Sequence, residues 1–181
     1  MRITIDPARV AQNFAQFADN PSLQESAQLV ARGQPVVEMI QAVAMNENVL
    51  RAFAAFDSVY PHGKLERSVA EKVILRVSQL HHCQFCTGSH LDFMQGLGIA
   101  SDLSPGTSHS ERERLAMEYA EQVTRDSNRV SDSLFERLRA VFNDSEIVEL
   151  TFLIGLITLL NRFNNALQVR YHGEFTRVQI H

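Results

Sequence analysis

The chain has no tryptophan, three tyrosines, five prolines and only two cysteines among 181 residues. So few prolines, with eight glycines, leave long stretches free to run as uninterrupted helix. Two cysteines cannot build a disulfide framework, and in a reducing compartment a bond between close neighbours is catalytic or sensory rather than structural. Neither sign of charge dominates. The net charge is −4 and the pI about 6.0, with acids and bases interspersed, which excludes the basic footprint of a nucleic-acid binder or of a protein held on an anionic membrane. The opening Met1-Arg2-Ile3-Thr4-Ile5-Asp6-Pro7 lacks a signal-peptide apolar region, and the longest apolar run, Leu150 to Leu160, is too short to cross a bilayer. A cytoplasmic protein with a small-molecule or protein partner is expected.

What the chain does have is 45% hydrophobic residues, enough for one domain over 1–181, and their spacing is helical nearly throughout. The reading is all-α. Leu65, Val69, Val73, Val77 and Leu80 form one stripe; Leu134, Phe135, Leu138, Val141 and Phe142 form another. Ser110 with Glu113, Ser133 with Glu136 and Asn143 with Glu146 read as capping boxes, predicting helices that start near 111, 132 and 144. Breaks fall at Tyr60-Pro61-His62-Gly63, at Gly96-Leu97-Gly98, and in a loop from Ser101 to Ser110 that contains Pro105-Gly106. Residues 1–40 are expected to form short covering helices, 49–98 a motif-bearing core and 111–170 a second helical half. Laying Glu71 to Leu75 over Glu146 to Leu150 suggests an internal helical duplication, with Cys83, Cys86 and His90 falling on Thr158, Asn161 and Asn165.

Chemistry concentrates in Cys83-Gln84-Phe85-Cys86, with His90 four residues beyond and Glu71 one helix upstream. On a continuous helix, positions 83, 86 and 90 share a face. A thiol attacks peroxides or disulfides only as thiolate, and an ordinary cysteine is mostly protonated at neutral pH. His90, one turn from Cys86, is placed to take that proton, and Glu71 to orient the ring. Cys86 is then the nucleophile, and Cys83 the thiol that resolves its sulfenic acid into a disulfide. Two plainer readings use the same residues: a pair of small buried apolar side chains, or a structural zinc site completed by His81, His82 or a distant residue. A thioredoxin site lacks its strand context here, and a c-type haem site would need histidine where Thr87 stands.

The set Glu71, Cys83-x-x-Cys86-x-x-x-His90, within Leu65-Glu-Arg-Ser-Val-Ala-Glu71-Lys-Val-Ile-Leu-Arg-Val-Ser-Gln-Leu80, resembles the AhpD-like branch of the carboxymuconolactone decarboxylase superfamily, tightly over residues 49–98. The later stretch Phe142 to Leu150 and Asn161-Arg162-Phe163 is similar to longer, peroxidase-related members. The resemblance implies an AhpD-like helical bundle, homo-oligomers such as trimers or hexamers, and alkylhydroperoxidase or related thiol–disulfide activity with no metal or other cofactor. It also implies Cys86 as the peroxide-attacking thiol, Cys83 as the resolving one and His90 with Glu71 as a proton relay. One departure is Phe85, where the best-known members carry a histidine; His81 and His82 are the auxiliary candidates. Members that act on lactone rings lack the cysteine pair. The reading is therefore a peroxidase that takes a hydroperoxide and is recycled by an external dithiol or thiol reductase. A general thiol–disulfide oxidoreductase or redox sensor, a metal-binding or structural assembly protein, and lactone decarboxylation are the alternatives. Tyr60, Phe56 and Phe85 are candidate pocket walls, and Asn161, Arg162 and Asn165 a candidate polar network between helices or subunits.

Overall fold

In the computed structural model, which describes residues 1–104 and 107–175 (position 57 by its backbone alone), every regular element is helical. Pro105-Gly106 of the expected long loop lies outside the described residues. The first four helices, α1 (Pro7–Ala15), α2 (Gln24–Ala31), α3 (Glu38–Ala44) and α4 (Glu47–Ala55), are short. Asp6 caps α1 by accepting the Ala8 and Arg9 amides, with Pro7 opening the helix where no amide is needed. Asn46 caps α4 in the same way. Rather than merely covering the remainder, these helices gather a core of their own around Phe14, Leu23, Val43 and Leu50, all nearly inaccessible.

The larger core is built on α5 (Arg67–Leu80), which packs against α6 (Gln84–Gly96), α7 (Glu111–Asp126) and α9 (Asp144–Leu167), with α8 (Asp132–Val141) against α7 and α9. Val73 and Val77 of the predicted stripe are fully buried, as are Leu138 of α8 and Leu150 of α9. Truncating any such leucine to alanine costs roughly 2–5 kcal/mol. The Ser110/Glu113 and Asn143/Glu146 capping boxes are present at the starts of α7 and α9. The third expected box is displaced: Ser131, not Ser133, accepts the Leu134 amide and caps α8. Ser131 sits one residue before the first helical position, where backbone donors are still unpaired, whereas Ser133 is already inside the helix.

The proposed duplication does not extend to the backbone. α9 runs unbroken for 24 residues, whereas its overlaid counterpart stops at Leu80, turns through a left-handed His82 (φ 52°) and restarts at Gln84. The two glutamates differ as well. Glu146 belongs to the cap of α9 and pairs with Arg112 at 2.7 Å, while Glu71 is wholly buried. The break after α5 starts the motif helix, which packs on α5 and α9 with both sulfurs inside the larger core.

Candidate active site

Cys83 lies in the break, in extended backbone conformation (φ −80°, ψ 99°), as the N-cap of α6. Its sulfur accepts the Cys86 amide at 3.3 Å, so one of the helix's unpaired donors is met by a reactive side chain instead of the usual hydroxyl or carboxylate. The expected arrangement, with both cysteines inside one helix, is thereby corrected. The sulfurs still meet, 2.7 Å apart, and both thiols are free. Cys83 and Cys86 are 1% and 3% exposed, so a reagent must be small enough to enter to reach them.

His90 projects from the second turn of α6, with Nδ1 2.6 Å from Oε2 of Glu71 on α5. The other carboxylate oxygen accepts the Tyr60 hydroxyl at 2.6 Å and pairs with Arg67 at 2.8 Å. Arg67 also donates to the Tyr60 oxygen at 2.9 Å and lies over its ring. Burial pushes the Glu71 carboxyl up, but hydrogen bonds from His90 and Tyr60, with the charges of His90 and Arg67, outweigh it and hold the group below its ordinary value. An ionised carboxylate only accepts, so Nδ1 of His90 is the donor and Nε2 is the nitrogen left for a reactant. Burial, then the Glu71 charge, pushes the Tyr60 hydroxyl well up, so it stays a donor.

Among the described residues His90 makes no direct hydrogen bond to Cys86; its hydrogen-bond partners are Glu71 and Tyr60. The place beside the Cys86 sulfur is taken by two other groups. The thiols share a proton, and the bond to Cys86 holds Cys83 below the ordinary cysteine value, assisted by the amide it caps. Cys86 is pushed up by the same bond, then by burial and by the charge on Cys83. The second group is Asn164 of α9, whose side-chain amide donates to the Cys86 sulfur at 3.3 Å.

The auxiliary histidines stand apart. His81 ends α5 with Nδ1 3.2 Å from Asn161 Nδ2, and its carbonyl accepts from Asn165 at 2.9 Å. Burial, then the charge of Arg162, lowers its basicity. His82 is exposed at the turn. Asn161 also accepts the Ser78 hydroxyl at 3.1 Å, so Asn161 and Asn165 fasten α9 to the break. Among the described residues, no group of three or more Cys, His, Asp or Glu side chains is placed to hold a metal ion.

Cys86 and His90 open onto a cavity of about 240 Å³ between the two cores, walled by Phe53 and Phe56 of the first helices, Phe85 and Phe93 of α6, Leu153 of α9 and Phe175. Tyr60 also lines it, so the three wall candidates are all present. The segment after α9 closes one side. Val169 is buried, Tyr171 packs edge-on against Phe85 and donates to Asp92, and Phe175 lies 4.5 Å from Phe93 between ring centres. A side chain at Gly88 would meet Tyr171 at 2.5 Å, so the close approach of this strap requires glycine there. Among the described residues, no helix is long and apolar enough to cross a membrane.

Arg67, Asn164 and the strap were not among the sequence candidates. Arg67 stands one turn before Glu71, a spacing that signals an ion pair; nothing local marks Asn164 or Tyr171.

Residues 47–101, which contain Glu71, both cysteines and His90, match the carboxymuconolactone decarboxylase family. The uncharacterized protein YnjA of Escherichia coli K12 is 35% identical over 120 residues, 60% of this chain and 64% of YnjA. A protein of unknown function from Agrobacterium tumefaciens superposes with a TM-score of 0.66 at 25% identity, over 72% of this chain and 95% of that one. An uncharacterized peroxidase-related protein with an AhpD core, from Ralstonia eutropha JMP134, superposes with a TM-score of 0.77 at 21% identity, over 99% of this chain and 96% of that one. The family match is centred on the site, over residues 47–101, and the helical fold is held in common with the AhpD-core structure from end to end.

Proposed function

We propose that the protein is a thiol peroxidase that reduces organic hydroperoxides. The observation that carries this reading is the pair of touching sulfurs at the wall of an apolar cavity, beside an imidazole whose far nitrogen is held by a buried carboxylate. Burial of both sulfurs favours a small oxidant over a folded protein disulfide. The apolar walls favour an organic hydroperoxide over a fully hydrated one.

The cycle starts with the negative charge on Cys83 and the proton on Cys86. As a hydroperoxide enters, that proton passes to Cys83. The Cys86 sulfur attacks the terminal peroxide oxygen, an S–O bond forms and the O–O bond breaks. A proton delivered through His90 Nε2 converts the departing alkoxide to alcohol. Glu71, fixed by Tyr60 and Arg67, keeps the ring oriented. Cys83, giving up its proton, then attacks the Cys86 sulfenic acid; the S–S bond forms and the sulfenic oxygen leaves as water. An external dithiol reduces the disulfide by exchange and is itself oxidised. The net change is hydroperoxide plus dithiol to alcohol, water and disulfide, with no other cofactor.

Self-association is part of the same proposal. Val148, Phe152 and Leu159 leave an apolar stripe exposed on α9, and Phe152 packs edge-on against Phe56 of the cavity wall. Sedimentation of the purified protein should give a multiple of the 20.4 kDa chain.

Steady-state reduction of cumene hydroperoxide with a small dithiol as reductant tests the reading. Turnover is expected in the wild type and abolished in Cys86→Ser. Equal rates in the two proteins would reject it. A protein that exchanges disulfides with the dithiol but does not consume peroxide would be a general oxidoreductase instead.

A further inference from the structure

Three asparagines, Asn161, Asn164 and Asn165, lie on the last turns of α9, facing the break that carries the cysteines. Two behave as structural groups. Asn161 accepts from Ser78 and lies beside the His81 ring, and Asn165 donates to the His81 carbonyl. Asn164 differs. It is 1% exposed, its side-chain amide nitrogen points at the Cys86 sulfur (3.3 Å) and the Met39 sulfur (3.5 Å), and its side-chain oxygen is buried with no hydrogen-bond partner.

A buried asparagine kept only for packing would be expected to satisfy its oxygen, because an unmet buried acceptor is costly. Here that cost is borne while the donor end is held on a sulfur whose charge changes during reaction. His90 does not fill this place in the structure: its Nδ1 is held by Glu71, and neither ring nitrogen makes a hydrogen bond to a sulfur among the described residues. Cys86 needs such a group more than most thiols do: it is buried and adjoins a second sulfur that already attracts the charge. Hydrogen bonds to ionised groups are about twice as strong as those between neutral ones, so this donor favours the thiolate over the thiol.

We propose that Asn164 is a catalytic residue whose side-chain amide stabilises the charge on the Cys86 sulfur as it becomes the attacking thiolate. The role rests on Cys86 being the attacking thiol of the peroxidase reading, but its test does not require peroxide. Asn164 forms no covalent bond and transfers no proton. Its position is fixed on the other side, because its backbone carbonyl accepts the Val169 amide at 2.9 Å as the chain leaves α9.

The experiment measures iodoacetamide alkylation of Cys86 across pH in the Cys83→Ser background, where Cys86 is the sole thiol, with Asn164→Ala or Asn164→Asp added. Removing the donor is expected to move the alkylation midpoint up by about one pH unit and to slow alkylation at neutral pH roughly tenfold. The aspartate, a like charge in place of a donor, should move it further. Circular dichroism decides which variant is read: Asn164→Ala if it is folded, otherwise the near-isosteric Asn164→Asp. An unchanged midpoint in the variant read overturns the proposal. A raised midpoint in a protein that does not reduce peroxides would leave this role standing and reject the peroxidase reading alone.

Discussion

The sulfur of Cys83 accepts the backbone amide of Cys86 at 3.3 Å and also touches the Cys86 sulfur. One atom therefore caps a helix and shares a proton with the neighbouring thiol. That double engagement divides the pair into Cys83, held below the ordinary cysteine value, and Cys86, pushed above it and lining the cavity.

The two thiols should therefore titrate in separate steps. Thiolate absorbance near 240 nm should show one equivalent ionising below the ordinary cysteine value of about 8.5 and the second well above it. Cys86→Ser should remove the upper step. Two equivalents ionising together near the ordinary value would show that the cap does not separate them.

Tyr60 is expected to matter through Glu71 rather than by touching substrate. Tyr60→Phe removes the hydroxyl that donates to Glu71 and accepts from Arg67, at a cost of about 1–2 kcal/mol in stability. Peroxide turnover should fall about tenfold because the imidazole is less firmly oriented, and Arg67→Met should fall with it. A double variant no worse than either single one would place both residues on the same carboxylate.

Acid should weaken the fold through Glu71. Its carboxyl is held below the ordinary value when folded, so its contribution is complete above that value, about 4.3, and is lost as pH falls through the lower folded value. Glu113, held down by Lys72 and the Ser110 amide against the opposing effect of burial, acts in the same direction. Glu71→Gln should lower stability at neutral pH and flatten its dependence on pH in that acidic range. Denaturant unfolding at several pH values measures both effects, and parallel wild-type and variant curves would contradict the assignment.

The strap makes a separate prediction. Gly88→Ala places a methyl group against Tyr171, an overpacking that costs about 1–3 kcal/mol and lowers the Tm by several degrees. Adding Tyr171→Ala should relieve most of that penalty, because the two positions are in contact. If Gly88→Ala costs the same with and without Tyr171, the strap does not pack there in solution.

The helices were readable where a local signal determines them. Ser110 with Glu113 and Asn143 with Glu146 carry the start of a helix within four residues, and the Val69, Val73, Val77 stripe carries its buried face. The spacing of Cys83, Cys86 and His90 was likewise legible, but not that Cys83 lies outside the helix, because the break depends on a left-handed histidine where glycine or asparagine would be the usual signal. Asn164 and Tyr171 reach the motif from 78 and 86 residues away, through contacts that tertiary packing alone creates. The separate core of the first helices was hidden for a similar reason: Phe14, Leu23, Val43 and Leu50 come from four short segments, none with a long periodic pattern.

The most direct test is stoichiometric. Reduced protein is mixed with one equivalent of cumene hydroperoxide, free thiols are counted and the intact mass is taken. The account predicts loss of both thiols, a mass lower by two hydrogens, and one equivalent of cumyl alcohol. Peroxide recovered intact with both thiols still free, or a protein that gains oxygen without forming the Cys83–Cys86 bond, would contradict it.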